Sequence, residues 1–233
     1  MHLLTVFSHP FRDSYVGAVM DRFHEPFVEL GHSVDLLDLQ AEGFDPRFSQ
    51  TDHEHYFRGG PIDAGVAQMQ RRVEAADRLA LVFPVYWWSM PALMKGWVER
   101  VFTGGWAHRR AASEPGLLPV PTLILGVAGS TERSYAKYGY REAMRAQLDM
   151  GVFSYCRLDD VETRLIFDVE SERNTEQREA GLVLAHEIGA GFAAPDREPR
   201  RARAEYFAAR ERPGEHTRAD EGLGLAQSMS TSD

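Results

Sequence analysis

Hydrophobic runs alternate with amphipathic segments along most of the chain. Mainly apolar runs are typical of strands buried in a parallel sheet, and they occur at 3–8, 78–84 and 121–128. A further strand is predicted at 32–39. A fifth strand is predicted at 152–158, running on irregularly to Phe167. Apolar residues at helical spacing predict helices at 14–30, 65–76, 91–103, 142–150 and 174–192. Residues 40–64, rich in Asp, His, Gly and Pro, are predicted to form an excursion at the surface.

Strands that alternate with helices predict right-handed β-α-β units and a parallel sheet. The pattern fits a flavodoxin-like α/β fold, a three-layer sandwich with a central five-stranded parallel sheet of order 2-1-3-4-5. Ligands of such sheets bind beyond the carboxyl ends of the strands. A binding site is therefore expected in residues 8–16, 84–90 and 128–139.

Length and composition divide the chain in two. Its 233 residues fit one α/β domain with a tail. After Pro195 the sequence becomes charged and poor in branched aliphatic residues. We therefore predict a folded, flavodoxin-like domain over 1–195 and a mostly disordered tail over 196–233.

Charge and cysteine content narrow the class of protein. A formal net charge of -9 argues against a nucleic-acid partner, whereas backbone amides can still hold a cofactor phosphate. The single Cys156 lies in an apolar stretch, so a buried thiol in a reducing compartment is expected.

No signal peptide or membrane span is recognisable, which favours a cytoplasmic protein that is not integral to a membrane. His53 and His55 have no second ligand cluster at a matching spacing, so they predict a solvated loop and no metal site.

The most informative segment is FPVYWWSMPALMKGWVERVF at 83–102. Tyr86, Trp87 and Trp88 follow a buried strand, where flat side chains and free amides suit a planar heteroaromatic ring; a hydrophobic plug is the alternative. The aromatic group after Phe-Pro, then Ser-x-Pro, Lys-Gly-Trp and Arg-Val-Phe, resembles the NAD(P)H:quinone oxidoreductase (DT-diaphorase-like) family and its bacterial flavodoxin-like relatives. The resemblance extends over roughly residues 2–190 as a pattern of elements.

Two further blocks match this family. Ser-His precedes a helix start at 14–16, where unpaired N–H groups suit a pyrophosphate; Val16 stands where the family usually has Asn. Ala128-Gly129-Ser130 corresponds to the family's Thr-Gly-Gly, with Ser130 replacing the second Gly. The resemblance implies cofactor contacts from His9, Ser14, Tyr15, Val16, Pro84, Val85, Tyr86, Trp87, Trp88, Ala128, Gly129, Ser130, Tyr135 and Arg178.

The resemblance also implies two catalytic residues, Tyr135 and Arg141. Tyr135 corresponds to a tyrosine at the pyrimidine edge of the flavin, and Arg141 takes the place of a family histidine. An arginine can hold developing negative charge but cannot shuttle protons near neutral pH. A solvated helix residue is the alternative for Arg141, and an exposed helix arginine is the alternative for Arg178.

The resulting hypothesis is an NAD(P)H dehydrogenase (quinone)-type enzyme. The family resemblance implies FAD, with FMN as the alternative, NAD(P)H as co-substrate, a quinone-like acceptor and ping-pong transfer of two electrons. It also implies a homodimer with the helix that carries 95–103 at the contact. Two alternative functions are also consistent with the sequence. One is a regulatory flavoprotein subunit acting on a partner such as a potassium efflux transporter, and the other is an electron carrier that does not use NAD(P)H directly.

Overall fold

The computed structural model describes residues 1–108, 119–158, 160–170 and 174–197. One parallel sheet in the order β2-β1-β3-β4-β5 forms its centre and confirms the predicted topology. The strands are β1 His2–Phe7, β2 Ser33–Asp38, β3 Arg78–Pro84, β4 Thr122–Val127 and β5 Val161–Ile166. The predicted tail lies outside the described residues from position 198 onward.

Helices cover both faces of the sheet. They are α1 Tyr15–Glu29, α2 Gln50–Arg58, α3 Ala64–Glu74, α4 Ala92–Val101, α5 Glu132–Tyr138, α6 Tyr140–Met144, a π-helix Arg145–Ser154 and α7 Thr175–Ala193. One apolar core contains residues of α1 and α7, and the other contains residues of α3, α4, α6 and the π-helix. Helices α1 and α7 pack so closely that a Cβ on Gly189 would lie 2.2 Å from the Phe23 carbonyl oxygen. No helix within the described ranges is long and apolar enough to cross a membrane.

The prediction of the fifth strand was wrong in position. Residues 152–158 belong to the end of the π-helix and the turn after it, and β5 follows at Val161–Ile166. Phe153, Cys156 and Leu158 are buried in the core, which gives 152–158 its apolar character. β5 is an edge strand whose Glu162 and Arg164 reduce the apolar signal of a buried strand. Cys156 is buried as expected, and burial raises the pKa of its thiol to about 11.

The predicted surface excursion at 40–64 contains a helix, α2. Ser49 caps this helix by accepting a hydrogen bond from Asp52 N, and the Asp52 carboxylate accepts one from Ser49 N. The segment carries few apolar residues at helical spacing, so periodicity alone does not predict this helix. His53 and His55 lie in α2, and the prediction of a solvated loop around them was wrong. His55 Nδ1 lies 2.8 Å from Gly60 O, and the ring centroids of His53 and Phe57 are 4.6 Å apart.

Helix α4 explains the glycine of the Lys-Gly-Trp motif. A Cβ on Gly96 would lie 2.4 Å from the backbone oxygen of Pro46, so the segment before α2 crosses directly over α4. Trp97 beside it is fully buried in the core. This part of the motif therefore has a packing function.

Candidate functional site

The crevice lies where the chain direction reverses at the middle of the sheet. β1 and β3 are adjacent, but the chain leaves β1 toward β2 on one side and β3 toward β4 on the other. Ser8 N donates to Val82 O at 3.2 Å, which keeps the two strand ends together before the connections diverge. Such a switch point is the usual ligand crevice of an open parallel sheet.

The connection from β1 to α1 provides free backbone donors. Ser14 caps α1, accepting from Gly17 N at 3.2 Å, and the N–H groups of Tyr15 and Val16 have no partner among the described residues. The Val16 side chain is buried, so only its backbone could contact a ligand at the crevice. His9 lies in the same connection, and its Nδ1 accepts a hydrogen bond from Phe11 N at 3.0 Å. This end of α1 suits an anionic group.

The connection after β3 is a strained turn. Trp87 and Trp88 have φ angles of 48° and 56°, a left-handed conformation that bulky L residues rarely adopt. Tyr86 and Ser89 close the turn with two backbone hydrogen bonds of 3.0 Å. The N–H groups of both tryptophans donate to none of the described residues. Backbone strain of this kind concentrates at functional sites.

Not all the predicted donors of this segment are free. Pro84 has no N–H, Val85 N donates to Val127 O at 2.8 Å, and Tyr86 N is used within the turn. Trp87 is 87% exposed at the tip of the turn, whereas Trp88 is 37% exposed. Within this segment, Trp87 and Trp88 therefore offer both free amide donors and exposed apolar rings.

The third side of the crevice follows β4. Ala128 N donates to Ile166 O at 2.7 Å, whereas the N–H groups of Gly129 and Ser130 have no partner among the described residues. The Glu170 side chain lies against Gly129, where a Cβ would be 2.5 Å from one of its carboxylate oxygens. Ser130 O accepts from Asp168 N at 3.1 Å. The Gly-to-Ser replacement is compatible with this backbone.

Tyr135 and Arg141 lie on different sides of one aromatic layer. Tyr135 is 2% exposed, with ring centroids 5.0 Å from Phe167 and 5.8 Å from Tyr140. Burial raises the pKa of Tyr135, with a smaller contribution from Tyr140, so its hydroxyl remains a donor at neutral pH. Arg141 pairs with Glu132 at 2.6 Å and lies over Phe167, lining a cavity along β5 and not the crevice beside the turn.

Arg178 lies beside the start of α1. Its guanidinium carbon is 4.7 Å from the centre of the Tyr15 ring, and Tyr15 OH donates to Arg178 O at 2.7 Å. Between α1 and α7 is a groove of about 350 Å³. The groove is lined by Asp13, Ser14, Tyr15, Ala18, Thr175, Arg178, Glu179 and Leu182. Ser14 and Tyr15, which are predicted to contact the pyrophosphate, therefore line the same groove as Arg178.

Sequence reasoning missed two residues that contact the turn. Tyr140 lies against Trp88 with ring centroids 4.2 Å apart, and Gln147 accepts a hydrogen bond from Ser89 Oγ at 2.8 Å. Neither residue stands in a recognisable motif, and no signal in the sequence connects them with residues 86–89. Their location follows only from the packing of α6 and the π-helix.

Comparison with known proteins agrees with this geometry. Residues 1–187 match a protein family described by its flavodoxin-like fold. An uncharacterized NAD(P)H oxidoreductase of Haemophilus influenzae is 29% identical over 172 residues, which cover 72% of this chain and 85% of that protein. NAD(P)H dehydrogenase (quinone) 1 of Cavia porcellus is 28% identical, with coverage of 71% and 68%. The solved NAD(P)H:quinone oxidoreductase of Methanothermobacter marburgensis superimposes with a TM-score of 0.75 at 27% identity, covering 82% of this chain and 95% of that one.

Proposed function

Because the chain belongs to the flavodoxin-like fold family, we propose that it is a flavin-dependent NAD(P)H oxidoreductase of the quinone dehydrogenase type. The observation that carries this proposal is the strained turn at Trp87 and Trp88, at the switch point of the sheet. Relatives named NAD(P)H oxidoreductase and NAD(P)H dehydrogenase (quinone) support the same class of reaction. A quinone or a similar electrophile is the proposed acceptor.

The residues of the crevice fit a flavin. Free N–H groups at Tyr15, Val16, Gly129 and Ser130 can satisfy phosphate and ring oxygens, and those of the tryptophan turn can satisfy ring heteroatoms. A flavin held there would supply the redox chemistry, namely uptake of a hydride from NAD(P)H and transfer of two electrons to the acceptor. Trp87 and Trp88 are both exposed. Their rings would form the wall against which NAD(P)H and the acceptor bind in turn, in the proposed ping-pong sequence.

FAD is the proposed form of the cofactor. The groove between α1 and α7 is lined by both Ser14, where the pyrophosphate is proposed to bind, and Arg178, so it could hold an adenylyl group beyond the phosphate. Heat denaturation of the purified protein should release a flavin that chromatography identifies as FAD. Release of FMN alone would restrict the cofactor to the shorter flavin and leave the Arg178 groove without an assigned ligand.

Tyr135 is the proposed donor on the β4 side of the crevice. A donor that meets charge as it develops matters more for the rate of hydride acceptance than for cofactor binding. We expect Tyr135→Phe to retain flavin and to slow its bleaching by NAD(P)H about tenfold, if the hydrogen bond contributes about 1.4 kcal/mol in the transition state. Rapid mixing under anaerobic conditions measures this step apart from acceptor reduction.

Arg141 is proposed as a weaker electrostatic contributor. Its charge is largely balanced by Glu132, so Arg141→Ala should slow bleaching less than Tyr135→Phe does. Arg141→Lys should recover part of the lost rate because it keeps the charge. Unchanged bleaching rates in Tyr135→Phe and Arg141→Ala would show that neither residue contributes to flavin reduction.

A second copy of the chain is the proposed partner. A mainly apolar groove of about 560 Å³ lies between α2, α4 and the π-helix, and exposed rings such as Phe57 and Tyr155 line it. Contiguous exposed apolar surface of this kind marks interaction sites. The family resemblance independently predicts α4 at the contact, and Val98, Glu99 and Phe102 of that segment line the groove.

A charged residue in this groove should prevent dimer formation. Phe57 is 65% exposed in the single chain, so the monomer should tolerate Phe57→Arg. In the dimer the same substitution would leave a charge buried in the interface. Light scattering should give the mass of a dimer for the natural chain and of a monomer for Phe57→Arg. Val28→Arg, at an exposed position of α1 outside the groove, is the control and should remain dimeric. A monomeric natural chain would contradict the assignment.

A further inference from the structure

We propose that Tyr140 and Gln147 are positioning residues that hold the Trp87–Trp88 turn in its left-handed conformation. The purpose of this arrangement, presentation of the turn's amides to a flavin, rests on the proposed function. Neither residue is expected to touch the reacting atoms. Each contacts the turn from the layer of helices that follows β4.

The residues at the centre of the turn oppose its conformation. Tyr86 and Ser89 are joined by a pair of backbone hydrogen bonds, one in each direction, as in a two-residue β-hairpin. Hairpin loops of this length favour left-handed central residues, and those positions are dominated by Gly, Asn and Asp. This turn has two tryptophans there, for which the left-handed conformation is strained. Contacts outside the turn therefore help to hold the tryptophans in the strained form.

Tyr140 supplies the first of these contacts. Its ring lies 4.2 Å from that of Trp88 at an interplanar angle of 32°, close enough for a stacked arrangement. Trp88 is 37% exposed and Trp87 is 87% exposed, in keeping with the Tyr140 ring lying over Trp88. If Trp88 moved to negative φ, its side chain would leave this position and the stack would be lost.

Gln147 supplies the second contact, at the other end of the turn. Its side-chain oxygen accepts from Ser89 Oγ at 2.8 Å. The bond fixes the residue at which the chain returns from the turn toward α4. The anchor is firm because Leu148, next to Gln147, is fully buried, and Met144 is buried one turn earlier.

Matched pairs of variants test this proposal. Tyr140→Ala removes the stack, whereas Tyr140→Phe keeps it. Gln147→Leu removes the acceptor, whereas Gln147→Glu keeps one. We expect the flavin dissociation constant to rise about fivefold in Tyr140→Ala and in Gln147→Leu, the effect of losing one modest contact. Tyr140→Phe and Gln147→Glu should stay within about twofold of the natural chain. Gln68→Leu, at an exposed position of α3, is the control.

A second readout does not depend on flavin. The Trp87 and Trp88 rings lie 5.8 Å apart at 66°, a geometry that gives an exciton signal in the circular dichroism of the flavin-free protein. The signal should weaken in Tyr140→Ala and Gln147→Leu and persist in Tyr140→Phe and Gln147→Glu. Failure of the natural chain to bind flavin would overturn the proposed function, while the exciton signal would still test the positioning role.

Two results would overturn the positioning role. One is an unchanged exciton signal in both Tyr140→Ala and Gln147→Leu. The other is a loss of signal that Tyr140→Phe and Gln147→Glu reproduce, since the stack and the acceptor would then not be the cause. If Tyr140→Ala does not fold, the Gln147 pair decides the question, because Gln147 is exposed and its replacement leaves the core intact.

Discussion

Replacing Arg100 with alanine is expected to lower the free energy of unfolding by about 3–5 kcal/mol, the cost of leaving a buried charge without its partner. The Arg100 side chain is 11% exposed and that of Asp52 is 3% exposed, with Nε donating to Asp52 Oδ2 at 2.9 Å. Arg100 also donates to Asp45 O at 2.8 Å and lies over the Phe44 ring. Burial opposes ionisation of Asp52, but hydrogen bonds from Ser49 and Arg100 outweigh it and keep the Asp52 pKa below its ordinary value.

Thermal unfolding measures this effect, and the melting temperature should fall by about 10 °C. Arg47→Ala is the matched control, because Arg47 pairs with Asp45 in a position where its side chain is 86% exposed. Ion pairs at the surface contribute little to stability, so Arg47→Ala should have the same melting temperature as the natural chain. Equal shifts in the two variants would contradict a special role for Arg100. Arg100→Lys should recover only part of the loss, since a lysine cannot reproduce the planar set of donors.

Acid is expected to destabilise the protein through His24. Its Nε2 lies 2.8 Å from Thr5 Oγ1 at the middle of β1, and burial lowers the pKa of His24 from 6.5 to about 4. Asp21 opposes this shift and Arg12 adds to it. Because the unfolded chain binds a proton that the folded chain excludes, stability is fully present above pH 6.5 and is lost as the pH falls toward 4. The loss from this one group reaches about 3 kcal/mol near pH 4.

Denaturant unfolding at a series of pH values checks this prediction. His24→Gln keeps a neutral hydrogen-bonding side chain but has no group that titrates between pH 6.5 and 4. The difference in unfolding free energy between the natural chain and His24→Gln should therefore shrink as the pH is lowered through this window. A difference that does not depend on pH would show that His24 titrates normally in the folded protein.

The fold could be predicted from sequence where strands are buried on both faces. After Arg78 the run at β3 is apolar, and its predicted bounds coincide with Arg78–Pro84. The prediction failed at β5, where the pattern mixes Glu162 and Arg164 with apolar residues because an edge strand is only partly covered. A preceding π-helix with buried Phe153 offered a stronger apolar signal than the strand itself.

The candidate site could be located from sequence, but its geometry could not. The aromatic residues after β3 could be assigned to the crevice because they follow the carboxyl end of a central strand, and ligands of parallel sheets bind at that edge. The positive φ angles of Trp87 and Trp88 oppose the intrinsic preference of tryptophan, so no local rule predicts them. The contacts of Tyr140 and Gln147, and the pairing of Arg141 with Glu132, depend on how α6 packs. Such contacts join residues without a periodic relation in sequence.

Anaerobic titration of the flavin-loaded protein tests whether this chain is a flavin-dependent NAD(P)H oxidoreductase. Stoichiometric NADH or NADPH should bleach the flavin absorbance, and one equivalent of a quinone added afterwards should restore it. A protein that binds neither FAD nor FMN, or whose bound flavin is bleached by dithionite but by neither nicotinamide, would not be such an enzyme.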